Sequence, residues 1–137
     1  MSWTYACPEC EAMLNPSDTI VLVAQPAGAE EGRRVLIGFH PEPGNYQISI
    51  PPGVVLKRGS RWKFFCPVCH ASLVLKENEN LAALKMISGS EASQVVFSCI
   101  AGEQATYVLL PHKGVQARFG DAAEIYLHNL INKKYIM

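Results

Sequence analysis

The sequence predicts a mostly β protein of α+β class: antiparallel strands, then a β-meander, then one C-terminal helix. Three observations lead there. Short runs rich in β-branched and aromatic residues recur along the chain, punctuated by Pro, Gly and Asn. Two Cys-x-x-Cys pairs, Cys7/Cys10 and Cys66/Cys69, each lead into strand-like sequence. Near the C-terminus, a single stretch carries both helix-start and helix-end signals.

In chain order, Trp3 and Tyr5 lead into the first thiol pair, and Asn15-Pro16-Ser17-Asp18 reads as a turn. Thr19–Ala24 is a buried strand by its β-branched content, and Arg33–Phe39 is its return arm across the polar loop 25–32. His40-Pro41-Glu42-Pro43-Gly44 breaks the pattern, because proline removes a ladder donor. Tyr46–Ile50 alternates, placing Tyr46, Ile48 and Ile50 on one face. After the Lys57-Arg58-Gly59-Ser60 turn, Arg61–Phe65 is a strand that delivers the second thiol pair. Leu81–Ile87 fits either a short helix or a strand. Gln94–Ile100 and Ala105–Leu110 form a hairpin, followed by the alternating strand Val115–Phe119. Asp121 then suits an N-cap with Glu124 three residues on, and Lys133 and Lys134 suit the negative end of a helix dipole. Ile125, Leu127, Leu130 and Ile131 give that helix an apolar stripe to lay on the hairpin.

The 137 residues suffice for one domain or two small ones. The polar stretch Lys76–Asn80 divides the chain into a β segment, 1–76, and a meander-plus-helix segment, 77–137, that packs with the first as one unit. With 49% hydrophobic and 18% charged residues, the chain buries a real core and is not intrinsically disordered. Zero formal net charge provides no global field toward nucleic acid or an anionic membrane. No apolar run approaches the roughly 18 residues of a membrane span. The N-terminal residues lack the basic and apolar regions of a signal peptide, so a cytoplasmic location is expected. In that reducing setting paired thiols favour metal over disulfides.

Two cysteines three positions apart let a tight turn aim both sulfurs at one point, and two such pairs complete a tetrahedral site. Cys7, Cys10, Cys66 and Cys69 are therefore the expected ligands of one ion, with Zn2+ the expected metal. Fifty-five residues separate Cys10 from Cys66. Closing that loop costs only about 0.6 kcal/mol per doubling of length, whereas structural zinc contributes on the order of 10 kcal/mol. The metal prevails, provided that Thr19–Val23 and Trp62–Phe65 lie side by side. A thioredoxin-like redox pair is the competing reading, but no βαβ pattern surrounds either motif.

Tyr5-Ala6-Cys7-Pro8-Glu9-Cys10, and Trp62 ahead of Cys66-Pro67-Val68-Cys69, resemble the two knuckles of rubredoxin and, more broadly, of zinc-ribbon proteins. The resemblance implies a zinc ribbon with antiparallel strands, or an iron site that passes electrons. Glu11 and His70 stand where those knuckles usually place glycine, the gap is longer, and a whole second half follows. A looser likeness, through Phe65–Leu73, Ile100–Glu103 and Thr106-Tyr107, is to small bacterial zinc-ribbon proteins of undefined function, and implies no activity.

Among the remaining residues, His70 adjoins Cys69, and adjacent positions rarely reach the same metal, so it is read as a neighbour rather than a ligand. Cys99 alternates with Val95 and Phe97 and reads as a buried apolar thiol. A nucleophilic pair of Cys99 with His112 lacks an orienting residue and an oxyanion hole; His40 and His128 read as surface histidines. The sequence is therefore read as non-enzymatic. Between Glu42 and Glu77 lie five basic residues and no acid. Lys57, Arg58, Arg61, Trp62 and Lys63 are the candidate nucleic-acid contacts, with bases stacking on aromatics. The competing reading is a lysine-guarded strand edge with its aromatics in the core. A binding or regulatory role is expected, with a protein partner ahead of nucleic acid, no membrane, and a homodimer through an exposed hairpin edge.

Overall fold

The computed structural model describes residues 4–27, 34–42, 45–89, 91–110 and 114–120. These form nine strands: β1 (Thr4–Ala6), β2 (Ile20–Pro26), β3 (Val35–Phe39), β4 (Ile48–Ser49), β5 (Trp62–Phe65), β6 (Leu81–Ser88), β7 (Glu91–Ser98), β8 (Thr106–Leu110) and β9 (Gly114–Phe119). Two antiparallel sheets result, of order β1-β6-β7-β8-β9 and β4-β3-β2-β5. The mostly β expectation holds, and there is no helix among the described residues. The helix expected over 121–134 lies outside them.

β2 and β3 form the expected hairpin, with Leu22 opposite Ile37. β5 lies along β2's other edge, Phe65 opposite Val23 and Trp62 opposite Pro26, which is the neighbour relation that a shared metal site demands. Leu81–Ser88 resolves as a strand: it hydrogen-bonds along its length to β7 and, at its far end, to β1. Tyr46–Ile50 shrinks to the two residues of β4, and Ile48 and the following Ile50 are 43% and 40% exposed. β4 has one partner, β3. The Tyr46 hydroxyl instead reaches the Thr106 hydroxyl of β8, 2.9 Å away in the other sheet.

The two sheets repeat one another. Each thiol pair is preceded by a short strand, β1 or β5, and followed by a hairpin, β2–β3 or β6–β7. The strands are exchanged: β2 pairs with β5, and β6 pairs with β1. Under the swap β1↔β5, β2↔β6, β3↔β7, β4↔β8, the order 1-6-7-8 becomes 5-2-3-4, which is the other sheet. Even the edge contacts match. The Leu14 N–H donates to the Tyr5 carbonyl and its carbonyl accepts from Val21; the Leu73 N–H donates to the Phe64 carbonyl and its carbonyl accepts from Ala83. Each leucine occupies the place on the long strand that the short strand vacates as it turns into its knuckle. The sequences carry the same repeat. Residues 3–14 and 62–73 share Trp3/Trp62, Cys7/Cys66, Pro8/Pro67, Cys10/Cys69, Ala12/Ala71 and Leu14/Leu73.

Apolar burial holds the halves together. One core cluster runs through Tyr5, Leu14, Leu22, Ile37, Trp62, Phe64, Leu73 and Leu84, drawing on strands from both sides of residue 76. A second, around Leu81, Val96, Tyr107 and Leu109, lies on the other face of β6–β8. Burying each such side chain contributes about 1.5–3 kcal/mol.

Candidate metal centre

The two knuckles are superposable turns. In the first, the Glu11 N–H donates to the Cys7 carbonyl (2.9 Å) and the Cys7 N–H to the Ala12 carbonyl (3.0 Å). The second repeats this with His70 to Cys66 and Cys66 to Ala71, each at 3.0 Å. Inside each turn two backbone N–H groups point at the leading sulfur. Glu9 and Cys10 donate to Cys7 Sγ at 3.3 and 3.5 Å, and Val68 and Cys69 to Cys66 Sγ at 3.3 and 3.4 Å. Closing the turn forces the fifth residue into the left-handed region, φ 61° at Glu11 and 65° at His70. Glycine tolerates that region at little cost and other residues do not.

The four sulfurs converge. Cys7 Sγ lies 3.7 Å from Cys69 Sγ and Cys10 Sγ lies 3.8 Å from Cys66 Sγ. All four lie within 4.8 Å of one another. A tetrahedron with metal–sulfur bonds of about 2.3 Å has edges of about 3.8 Å, so the spacing fits one ion at the centre. All five cysteines are free thiols rather than disulfides. Cys7 and Cys66 are fully buried, whereas Cys10 and Cys69 face outward.

Electrostatics within the site favour a cation. Burial pushes the Cys7 thiol up to about 12 in spite of its two N–H donors. At Cys66 burial also raises the pKa, but the N–H groups of Cys69 and Val68 and the Cys10 thiol outweigh it and bring it down to about 7. Four thiolates so close together would repel, and a bound cation would hold all of them deprotonated. An all-sulfur tetrahedral donor set suits zinc or iron. Lys85 on β6 adds an ion pair at 3.1 Å to Glu11, tying the first knuckle to the second half of the chain.

His70 is exposed and stands beside the ligand set, which the four cysteines make up by themselves. Cys99 is buried, 2% exposed, as its alternation with Val95 and Phe97 predicts. His112 and His128 lie outside the described residues. His40 is exposed, its Nδ1 accepting from the Glu42 N–H at 3.0 Å.

The basic stretch divides by side-chain direction. Lys57, Arg58 and Lys63 are exposed. Arg61 is paired with Glu79 at 3.1 Å. Trp62 turns inward, 7% exposed, with its indole N–H donating to the Ser60 hydroxyl at 3.1 Å. Phe64 is 6% exposed, and the Arg34 guanidinium sits 4.2 Å above the Phe65 ring. The strand's alternation thus sends cations out and rings in, so Lys57, Arg58 and Lys63 are not joined by an open stacking platform at Trp62 or Phe64. No helix among the described residues is long and apolar enough to cross a membrane. Compared with known proteins, the chain matches no family model, no curated protein and no solved structure.

Proposed function

We propose that this chain is a zinc-ribbon-type protein in which Cys7, Cys10, Cys66 and Cys69 hold one structural Zn2+, and that its role is binding or regulation rather than catalysis. The observation that carries this reading is the convergence of four sulfurs, at tetrahedral spacing, from two matching knuckles. Four thiolates complete zinc's coordination and leave no position for water or substrate, which is the mark of a structural ion. The ion would pin β1 and β5, each only three or four residues long, to the exchanged long strands beside them. A protein partner in the cytoplasm is the setting proposed for it.

The test is metal analysis of purified protein with a thermal melt before and after chelation. One zinc per chain, colourless protein and a melting temperature that falls by 20 °C or more on chelation are expected, since about 10 kcal/mol is comparable to the whole stability of a typical domain. A red preparation with visible charge-transfer bands would replace zinc by rubredoxin-like iron. A melt unchanged by metal removal would sink the structural role. Nucleic-acid binding is tested on a single-stranded DNA column: salt-steep retention would support contacts by Lys57, Arg58 and Lys63.

A further inference from the structure

Between the two sheets lies a cavity of about 360 Å³ that the metal site does not use. Its walls come in pairs related by the internal repeat: Tyr5 with Phe64, Leu22 with Leu84, and Phe39 with Phe97. Three of the rings meet edge to face or tilted, with centroids 5.7 Å apart for Phe39–Phe64, 5.5 Å for Phe64–Phe97 and 6.0 Å for Phe39–Phe97. The mouth is framed by two equivalent connections, β3–β4 and β7–β8, which supply His40, Glu42 and Glu103. Gly102 sits at this rim with φ 85°, and a Cβ there would press on the stem of Arg58, so the loop is shaped around close contact rather than left open.

Protein interiors are close-packed, and a void of this size between two sheets forfeits dispersion contacts all round its wall. Its volume falls in the range of small-molecule sites, about 300–1,000 Å³, and its make-up is theirs too: aromatic and aliphatic walls with a few polar groups gathered at one end. The charge at that end is mixed rather than of one sign. Glu42 is exposed, Glu103 accepts from the Ser98 hydroxyl at 2.7 Å, and the Arg58 stem lies against Gly102. The walls are apolar, so a charged ligand would lose its hydration without a dedicated partner, and a neutral one would not.

We propose that this cavity binds a small, neutral, largely apolar molecule, with any polar end at the rim formed by the β3–β4 and β7–β8 connections. Tyr5 and Phe64 stand two residues before Cys7 and Cys66, so the walls of the pocket are also the strands that deliver the metal ligands.

The experiment titrates full-length, metal-loaded protein with 1-aminoanthracene, whose fluorescence rises in apolar surroundings, and then displaces it with 1-decanol, decylamine or decanoate below their solubility and aggregation limits. Saturable binding of one equivalent is expected, with 1-decanol displacing the probe at least about tenfold better than either charged chain. Leu56→Trp fills the cavity wall at a partly buried position and weakens the probe by about tenfold or more, whereas Val55→Trp, 77% exposed and outside the wall, leaves it unchanged. If Leu56→Trp does not melt cooperatively, Ala101→Phe at the rim replaces it. Absence of saturable binding by protein that melts cooperatively, or equal binding in both tryptophan variants, overturns the site. Equal or better competition by decylamine or decanoate overturns the ligand class.

Discussion

His70→Gly stabilises the metal-loaded protein, and Glu11→Gly, at the equivalent position of the other knuckle, does so by less or not at all. Both residues hold φ near +60°, where a side chain costs about 1–2 kcal/mol relative to glycine. Introducing glycine returns about 0.5–1 kcal/mol of that through the greater freedom of the unfolded chain. The net gain from relieving the backbone is about 0.5–1 kcal/mol per site. At His70, whose side chain is exposed, that gain is realised. At Glu11 the same change removes the ion pair with Lys85, whose partners are 69% and 23% exposed, a surface pair contributing about 0.2–1 kcal/mol. The two terms cancel. Denaturant melts at fixed excess zinc would show His70→Gly higher in midpoint, Glu11→Gly close to the parent, and Glu11→Gln, which keeps the strain and loses the charge, slightly below it. A destabilised His70→Gly, or a larger gain at Glu11 than at His70, would refute the strain argument.

Three further outcomes are expected. Burial lifts the Cys99 thiol to about 12 against a weaker pull from Arg61. Its folded pKa is thus above its unfolded one, and the stability it confers is complete below pH 9 and lost as pH rises toward 12. The parent-minus-Cys99→Ala difference in denaturation free energy should shrink over that window by up to about 1.4 kcal/mol per pH unit, and a flat difference would contradict it. Trp62→Ala costs about 3–5 kcal/mol by emptying a buried site, while Lys57→Ala and Lys63→Ala change stability by less than about 0.5 kcal/mol, measured by urea melts. Gly120→Ala would bring a Cβ to 2.2 Å from the Gln104 carbonyl oxygen at φ 97°, and should lower stability by about 2 kcal/mol or more in the same assay.

Much of the site was legible without coordinates, because a Cys-x-x-Cys turn is a local object: its spacing, proline and flanking strands are all within a dozen residues. The β2–β3 and β7–β8 hairpins were legible for the same reason, since β-branched runs bounded by turn residues announce themselves. Leu81–Ser88 was not. Its Leu-Ala-Ala-Leu-Lys-Met start suits a helix, and what makes it a strand is bonding to β7 along its length and to β1 at one end. β1 itself is only three residues long and has no pattern of its own. Trp62, Phe64 and Phe65 beside lysines suited a core more than stacking on bases, without excluding either. Direction along the strand decided it, and direction follows from pairing with β2.

The residues alone determined that this chain is built of β strands and that four thiols, two by two, await one ion. They also carried, in the six identities between 3–14 and 62–73, the repeat that relates its halves. Which half each long strand joins was settled only in three dimensions, where β2 leaves its own knuckle strand for β5 and β6 leaves its own for β1. That choice depends on edge hydrogen bonds and burial between segments far apart in sequence, Val23 opposite Phe65 and Tyr5 opposite Met86, and no local pattern records it. The cavity between the sheets is likewise a tertiary feature, since its lining is drawn from both of them.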